Sequence, residues 1–249
     1  MVAITVEVAS DPSQWYTYGT GTSFAAPVVT GVAAHVRQWF LNHGTDNPAP
    51  SLIKAALIAT ADDLGGLGPS GIDHRPSPLQ GWGRVNLNRA VVTTAGFFSG
   101  RFWIDESATP GVRTGDSFAW TAWIADASKD TYIVLAWSDP PSTTPLGDAQ
   151  AALVNSLRLR VDDFANGCCA FWTGNDFNEV VSGTDDGYSF HWVFGPAGPP
   201  DSINNVQAVF IPRGQYSQGQ SLTIRVTGES VTDVTRGAQK FSVYAYNLQ

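Results

Sequence analysis

The chain has 249 residues, 43% hydrophobic and 14% charged, too apolar for a disordered chain and long enough for one large domain or two modest ones. Acids outnumber bases 22 to 14, a formal charge of −8, which argues against nucleic acid and anionic membrane as partners. Eighteen of the acids are Asp and only three of the bases are Lys, with 25 Gly and 15 Pro. Asp favours loops and caps, whereas Glu and Lys fill exposed helices, so the balance points to strands and loops.

In chain order, residues 1 to 10 lack a basic start and alternate apolar with polar. They read as a strand over 2–8 and not as a secretion signal. Residues 10 to 22 form a polar, Gly-rich connection. Residues 23 to 42 read as a helix, with Ser23 placed to cap it, Pro27 tolerable in the first turn and Gly44 after its end. From Phe24 to Ala34 this helix is apolar nearly all round, the pattern of a helix buried on most sides. A second helix fits 50–61, where Leu52, Ala55, Ala56 and Ala59 recur at helical spacing. A Gly, Pro and Asp loop runs to Pro78, and a short helix is expected after Asn86. No run reaches the roughly 18 apolar residues of a membrane span.

From about residue 101 the period becomes two. Strands are expected at 101–106, 117–125, 131–138, 153–161, 169–173, 188–194, 205–211, 221–227 and 240–247. Short strands in such number predict an antiparallel sandwich or jelly roll. The fold class is therefore mainly β over 101–249, preceded by a small, mostly helical unit over 1–100. Cys168 and Cys169 are adjacent and read as two ordinary thiols, since a bridge between neighbours is strained.

The most specific stretch runs from Gly19 to Gly31 and contains Gly21-Thr22-Ser23-Phe24-Ala25-Ala26-Pro27. It places a serine at the start of an apolar helix, after a glycine turn. Free N–H groups and positive potential at a helix N-terminus suit a developing oxyanion, and Gly21 with Thr22 would form the turn a substrate approaches. The plain alternative is a serine N-cap.

The segment resembles the nucleophile motif of the subtilisin-like serine peptidases, in which G-T-S-x-A-x-P opens a central helix. The resemblance continues through Pro50–Ile58 and Gln80–Leu87. In the second half Ala136–Pro140, Leu153–Asn155, Gly174–Phe177 and Asn204–Val206 resemble the C-terminal β-barrel of one alkaline branch of the family. It implies that Ser23 is the nucleophile. It also implies that the family's Asp, His and oxyanion Asn, which precede the serine, have no counterpart here, together with most of the parallel sheet that would cover the helix. The expectation is of a truncated enzyme whose uncovered helix 23–42 packs in a new way, on the β domain or on a second copy of the chain. The ancestor would be secreted.

A replacement base must come within about 3 Å of the Ser23 hydroxyl. His35 lies twelve residues along the same helix, roughly 18 Å away, and His43 lies further on. His74 and His191 remain as candidates, reachable only through a rearranged fold or a partner chain. The paired acids Asp62-Asp63, Asp105-Glu106, Asp162-Asp163 and Asp185-Asp186 read as solvated turns rather than a glycosidase pair, because neighbours on a strand face opposite ways. The tryptophans of the strands read as core, with sugar stacking the alternative. No cofactor is required. Calcium is a candidate ligand for Asp139, Asn175 and Asp176, although Ser156 and Arg158 stand where the resembling branch carries acids.

Three functions compete on this reading: a subtilase-type hydrolase acting weakly on activated esters or peptides, a β-sandwich module binding calcium, sugar or protein, and a hydrolase with an unrelated carboxylate site.

Overall fold

The computed structural model describes residues 21–65, 74–91, 100–142, 153–163, 170–177, 187–193, 201–232 and 237–249. The strand expected at 2–8, Cys168, Cys169, Asp185 and Asp186 lie outside them. Three helices come first: α1 (Thr22–Asn42), α2 (Pro50–Thr60) and the single turn α3 (Leu87–Ala90). Asn86 accepts the Arg89 N–H and so caps α3, as its position after the loop predicts. Nine strands follow: β1 (Arg101–Ile104), β2 (Ser117–Trp123), β3 (Thr131–Ala136), β4 (Asn155–Asp163), β5 (Ala170–Phe177), β6 (Ser189–Trp192), β7 (Val206–Ile211), β8 (Ser221–Val231) and β9 (Ser242–Tyr246). Each overlaps one of the expected segments, where side chains alternate with period two, although β4, β5 and β8 run two to four residues beyond the expected ends.

The strands form two antiparallel sheets, ordered β1-β9-β3-β7 and β2-β8-β4-β5-β6. The molecule is mainly β. The sheets face each other across the larger core. Ile133, Leu135, Val209 and Val243 enter it from the four-stranded sheet, and Leu157, Leu159, Ile224 and Val226 from the five-stranded one. On β8 the alternate residues Thr223, Arg225 and Thr227 stay partly open. The outer face of the five-stranded sheet is accordingly polar: Arg158 pairs with Glu229 at 2.7 Å, and Arg225 with Asp162 at 3.3 Å.

The four-stranded sheet is apolar on both faces. Val134, Ala136, Ala208, Phe210 and Tyr244 alternate with the inter-sheet residues and form a second core with α1 and α2. Leu52, Ala55, Ala56 and Ala59 of α2 are fully buried there, the stripe that their helical spacing implies. The molecule therefore has three layers: helices, four-stranded sheet, five-stranded sheet. The resemblance implied that the sheet for α1 is absent. In the structure α1 packs mainly on α2 and α3, and reaches the four-stranded sheet through Trp39 and Phe40. Phe40 is fully buried against Trp103 and Tyr244, with ring centroids 5.7 and 6.0 Å apart. Only the C-terminal half of α1 is covered. Phe24, Val28 and Val29 remain 38–40% exposed.

Candidate active site

Ser23 is the second residue of α1, and Gly21 occupies the N-cap without any side-chain cap bond. The expectation that Ser23 caps the helix is corrected, because helical geometry starts one residue earlier, at Thr22. The N–H groups of Phe24 and Ala25 both reach Gly21 O, at 3.1 and 3.3 Å. The amides of Thr22 and Ser23 precede that ladder and have no intrahelical acceptor. Ser23 is exposed, and among the described residues nothing hydrogen-bonds its hydroxyl. The φ of Gly21 is 165°, extended backbone that any residue adopts. A Cβ there would lie 3.6 Å from the Phe24 ring, an ordinary contact. What glycine contributes is an open approach to the helix end, where N–H groups and the helix dipole favour negative charge.

The four histidines are placed as follows. His35 is exposed on α1 itself, a rise of roughly 18 Å from Ser23. His43 has Nδ1 2.6 Å from Trp39 O and stacks on the Trp39 ring at 4.1 Å. His191 is held in the five-stranded sheet, stacked on Trp172 at 4.3 Å with Nε2 4.0 Å from Asp163. Burial pushes its pKa down, and the Asp163 charge offsets that only in part. His74 has Nδ1 2.6 Å from Asp63 Oδ2, the Asp–His arrangement that orients an imidazole. The structure brings His74 and Asp63 together but places no histidine in hydrogen-bond contact with Ser23. Asp63 was legible only as one of two acids in a turn. Its partner lies eleven residues away, across a loop that no periodicity describes.

The three residues weighed for calcium already have protein partners. Asp139 accepts the N–H groups of Val154 and Asn155 at 2.7 and 2.8 Å. Asn175 donates to Asp201 and Val206 O and accepts from Ala208 N–H. Asp176 accepts from Trp192 Nε1 at 2.6 Å. Burial would raise the Asp201 carboxyl, but hydrogen bonds from Asn175, Asn204 and the Ile203 and Asn204 amides outweigh it and hold the pKa below the ordinary carboxylate range.

Residues 3–83, about a third of the chain, match the model of the subtilase family. Seventy-two residues are 47% identical to an extracellular serine protease of Serratia marcescens, covering 29% of this chain and 6% of that protein. Ninety-two residues are 34% identical to the autotransporter lipoprotein NalP of Neisseria meningitidis serogroup B, covering 37% of this chain and 7% of that protein. The matched parts span less than a tenth of these relatives.

Proposed function

We propose that Ser23 is the nucleophile of a subtilisin-like serine hydrolase that attacks the carbonyl of a peptide or activated ester. One observation carries the reading. Within the subtilase-matched segment, a serine sits on the exposed first turn of a long helix, with its hydroxyl unengaged and with N–H groups beside it that lack intrahelical acceptors. In this reading Oγ bonds to the carbonyl carbon, the oxyanion rests at the N-terminus of α1, and the Ser23 proton passes to a base. No described histidine contacts Ser23, so the chain alone relies on the helix end and on substrate binding. Such contributions leave a modest rate above water when a triad member is missing. Activated esters, whose leaving groups need no protonation, should then react faster than peptides.

A fluorophosphonate probe tests this. Ser23 Oγ displaces fluoride from phosphorus and remains covalently phosphonylated. Mass spectrometry should place the adduct on Ser23, slowly formed and lost in Ser23→Ala. Absence of an adduct, or equal labelling of Ser23→Ala, would reject the assignment.

A further inference from the structure

The cleft beside His74 has a chemistry that the Ser23 reading does not use. Its volume is about 520 Å³, within the usual range of small-molecule sites. Two backbone segments grip the imidazole. A Cβ on Gly187, where φ is +72°, would lie 2.9 Å from His74 Cβ, and one on Gly65 would lie 3.0 Å from His74 Cε1. Only glycine lets the chain come so near. Asp63 takes Nδ1 and fixes the ring's orientation.

Most charges lining the cleft are engaged by ion pairs or hydrogen bonds. Arg84 and Arg89 both meet Asp62, at 3.2 and 3.0 Å. Asp130 accepts the hydroxyls of Tyr132 and Tyr188 and the Arg213 N–H. Asp63 holds His74. Among the described residues Arg75 meets no carboxylate at ion-pair distance, and Asp63 acts on it only from further off. Arg75 is only 3% exposed, its guanidinium lies 4.6 Å from the ring centres of both Tyr132 and Phe210, and it donates to Ile58 O at 3.1 Å. A buried cation whose described counter-charge, Asp63, acts only from a distance is costly, and two aromatic faces return only part of that cost. Its planar fork matches a carboxylate at two points.

We infer that this cleft binds a carboxylate monoanion, seated on the Arg75 guanidinium beside the His74 imidazole. A dianion fits less well. Asp62, Asp63 and Asp130 also line the space, and a second negative charge would be repelled by them.

The test is a ¹H–¹⁵N titration of the full chain, observing Arg75 Nε–H and the His74 ring, with acetate and N-acetyl-alanyl-alanine as probes. Acetamide, the dipeptide amide and inorganic phosphate serve as controls. Both acids should shift the two signals in a saturable manner, and the amides should not. Arg75→Lys, which keeps charge but loses the fork, should weaken the acids about tenfold. The wild-type titration decides the matter even if that variant fails to fold. Silence of both signals at about 20 mM acid, well above millimolar affinity, would overturn the inference, as would equal response to the amides or tighter binding of phosphate. Response to the dipeptide acid but not to acetate would still support the carboxylate and identify a peptide C-terminus as its source.

Discussion

Two glycines of one loop separate backbone strain from steric contact. Gly81 has φ +57° and Gly83 φ +98°, both in the left-handed half of the map. A Cβ on Gly81 would meet nothing within 4 Å, whereas one on Gly83 would lie 2.3 Å from Asp62 O and 3.1 Å from Arg75 Cδ. The Asp62 carbonyl is half of the bridge that joins Asp62 to Arg84 through hydrogen bonds of 2.7 and 2.8 Å. Gly81→Ala should therefore cost only the left-handed penalty, roughly 1–2 kcal/mol. Gly83→Ala pays a similar penalty and must also push the bridge apart. Two backbone bonds at about 1 kcal/mol each bring its total to roughly 3–4 kcal/mol. The smaller unfolded-state entropy of alanine favours both variants alike, so it cancels in the comparison. Urea unfolding followed by tryptophan fluorescence measures the difference, provided the m-values agree. Equal losses for the two variants would refute the contact argument.

Gln207 should be among the costliest polar positions to replace. Its amide bridges the sheets, donating to Leu157 O at 2.6 Å and accepting Leu159 N–H at 2.7 Å, on the stretch of β4 that β5 does not reach. Gln207→Leu leaves both backbone groups buried and unpaired, for a loss of roughly 2–4 kcal/mol in the same unfolding assay. Asp139→Ala removes the acceptor of two N–H groups and should lower stability by about 1–3 kcal/mol, with a falling thermal midpoint as the readout. His191 gives a pH signature. Its folded pKa lies below the ordinary value near 6.5, so below about pH 6.5 the unfolded chain takes up a proton that the folded chain resists. Stability from this group is complete above that pH and falls as the medium acidifies toward the folded pKa. His191→Gln should flatten that part of the stability–pH curve, and an unchanged slope would show that the ring titrates freely.

The sheets were the most legible part of the fold and the loop cleft the least. Along β8, Leu222, Ile224 and Val226 declare one buried face by simple alternation. Along β3 both sets, Ile133 with Leu135 and Val134 with Ala136, are apolar, which announces cover on two sides without saying what provides it. Helix α2 answers from its own sequence, since Leu52, Ala55, Ala56 and Ala59 make one stripe. Ser23 stood out because seven consecutive residues carry a pattern. Arg75 and Asp63 did not, because their importance comes from what lies opposite them: a ring from β3, a ring from β7 and a histidine across a loop. One-dimensional patterns report faces and turns, whereas the surroundings of a buried charge become visible only when the rings and charges opposite it have been placed.

Helix α1 shows how the two readings of the chain meet. Its surface is apolar nearly all round from Phe24 to Ala34, yet among these residues burial begins only at Val32 and continues through Val36, Trp39 and Phe40. The half nearer Ser23 keeps Phe24, Val28 and Val29 open. Packing of the C-terminal half explains why the helix is held in place, but it gives no reason for valines on the exposed turns, where alanine, glutamate or lysine would favour the helix more. A residue preference that the described fold does not require is best explained by something the apolar turns contact. A surface seated on these turns would also stand beside Ser23, which lies on the first of them. The exposed valines and the Ser23 hydroxyl, which has no partner among the described residues, then share one open face. Covering that face should bury the first turns of α1 and change the Ser23 labelling rate together.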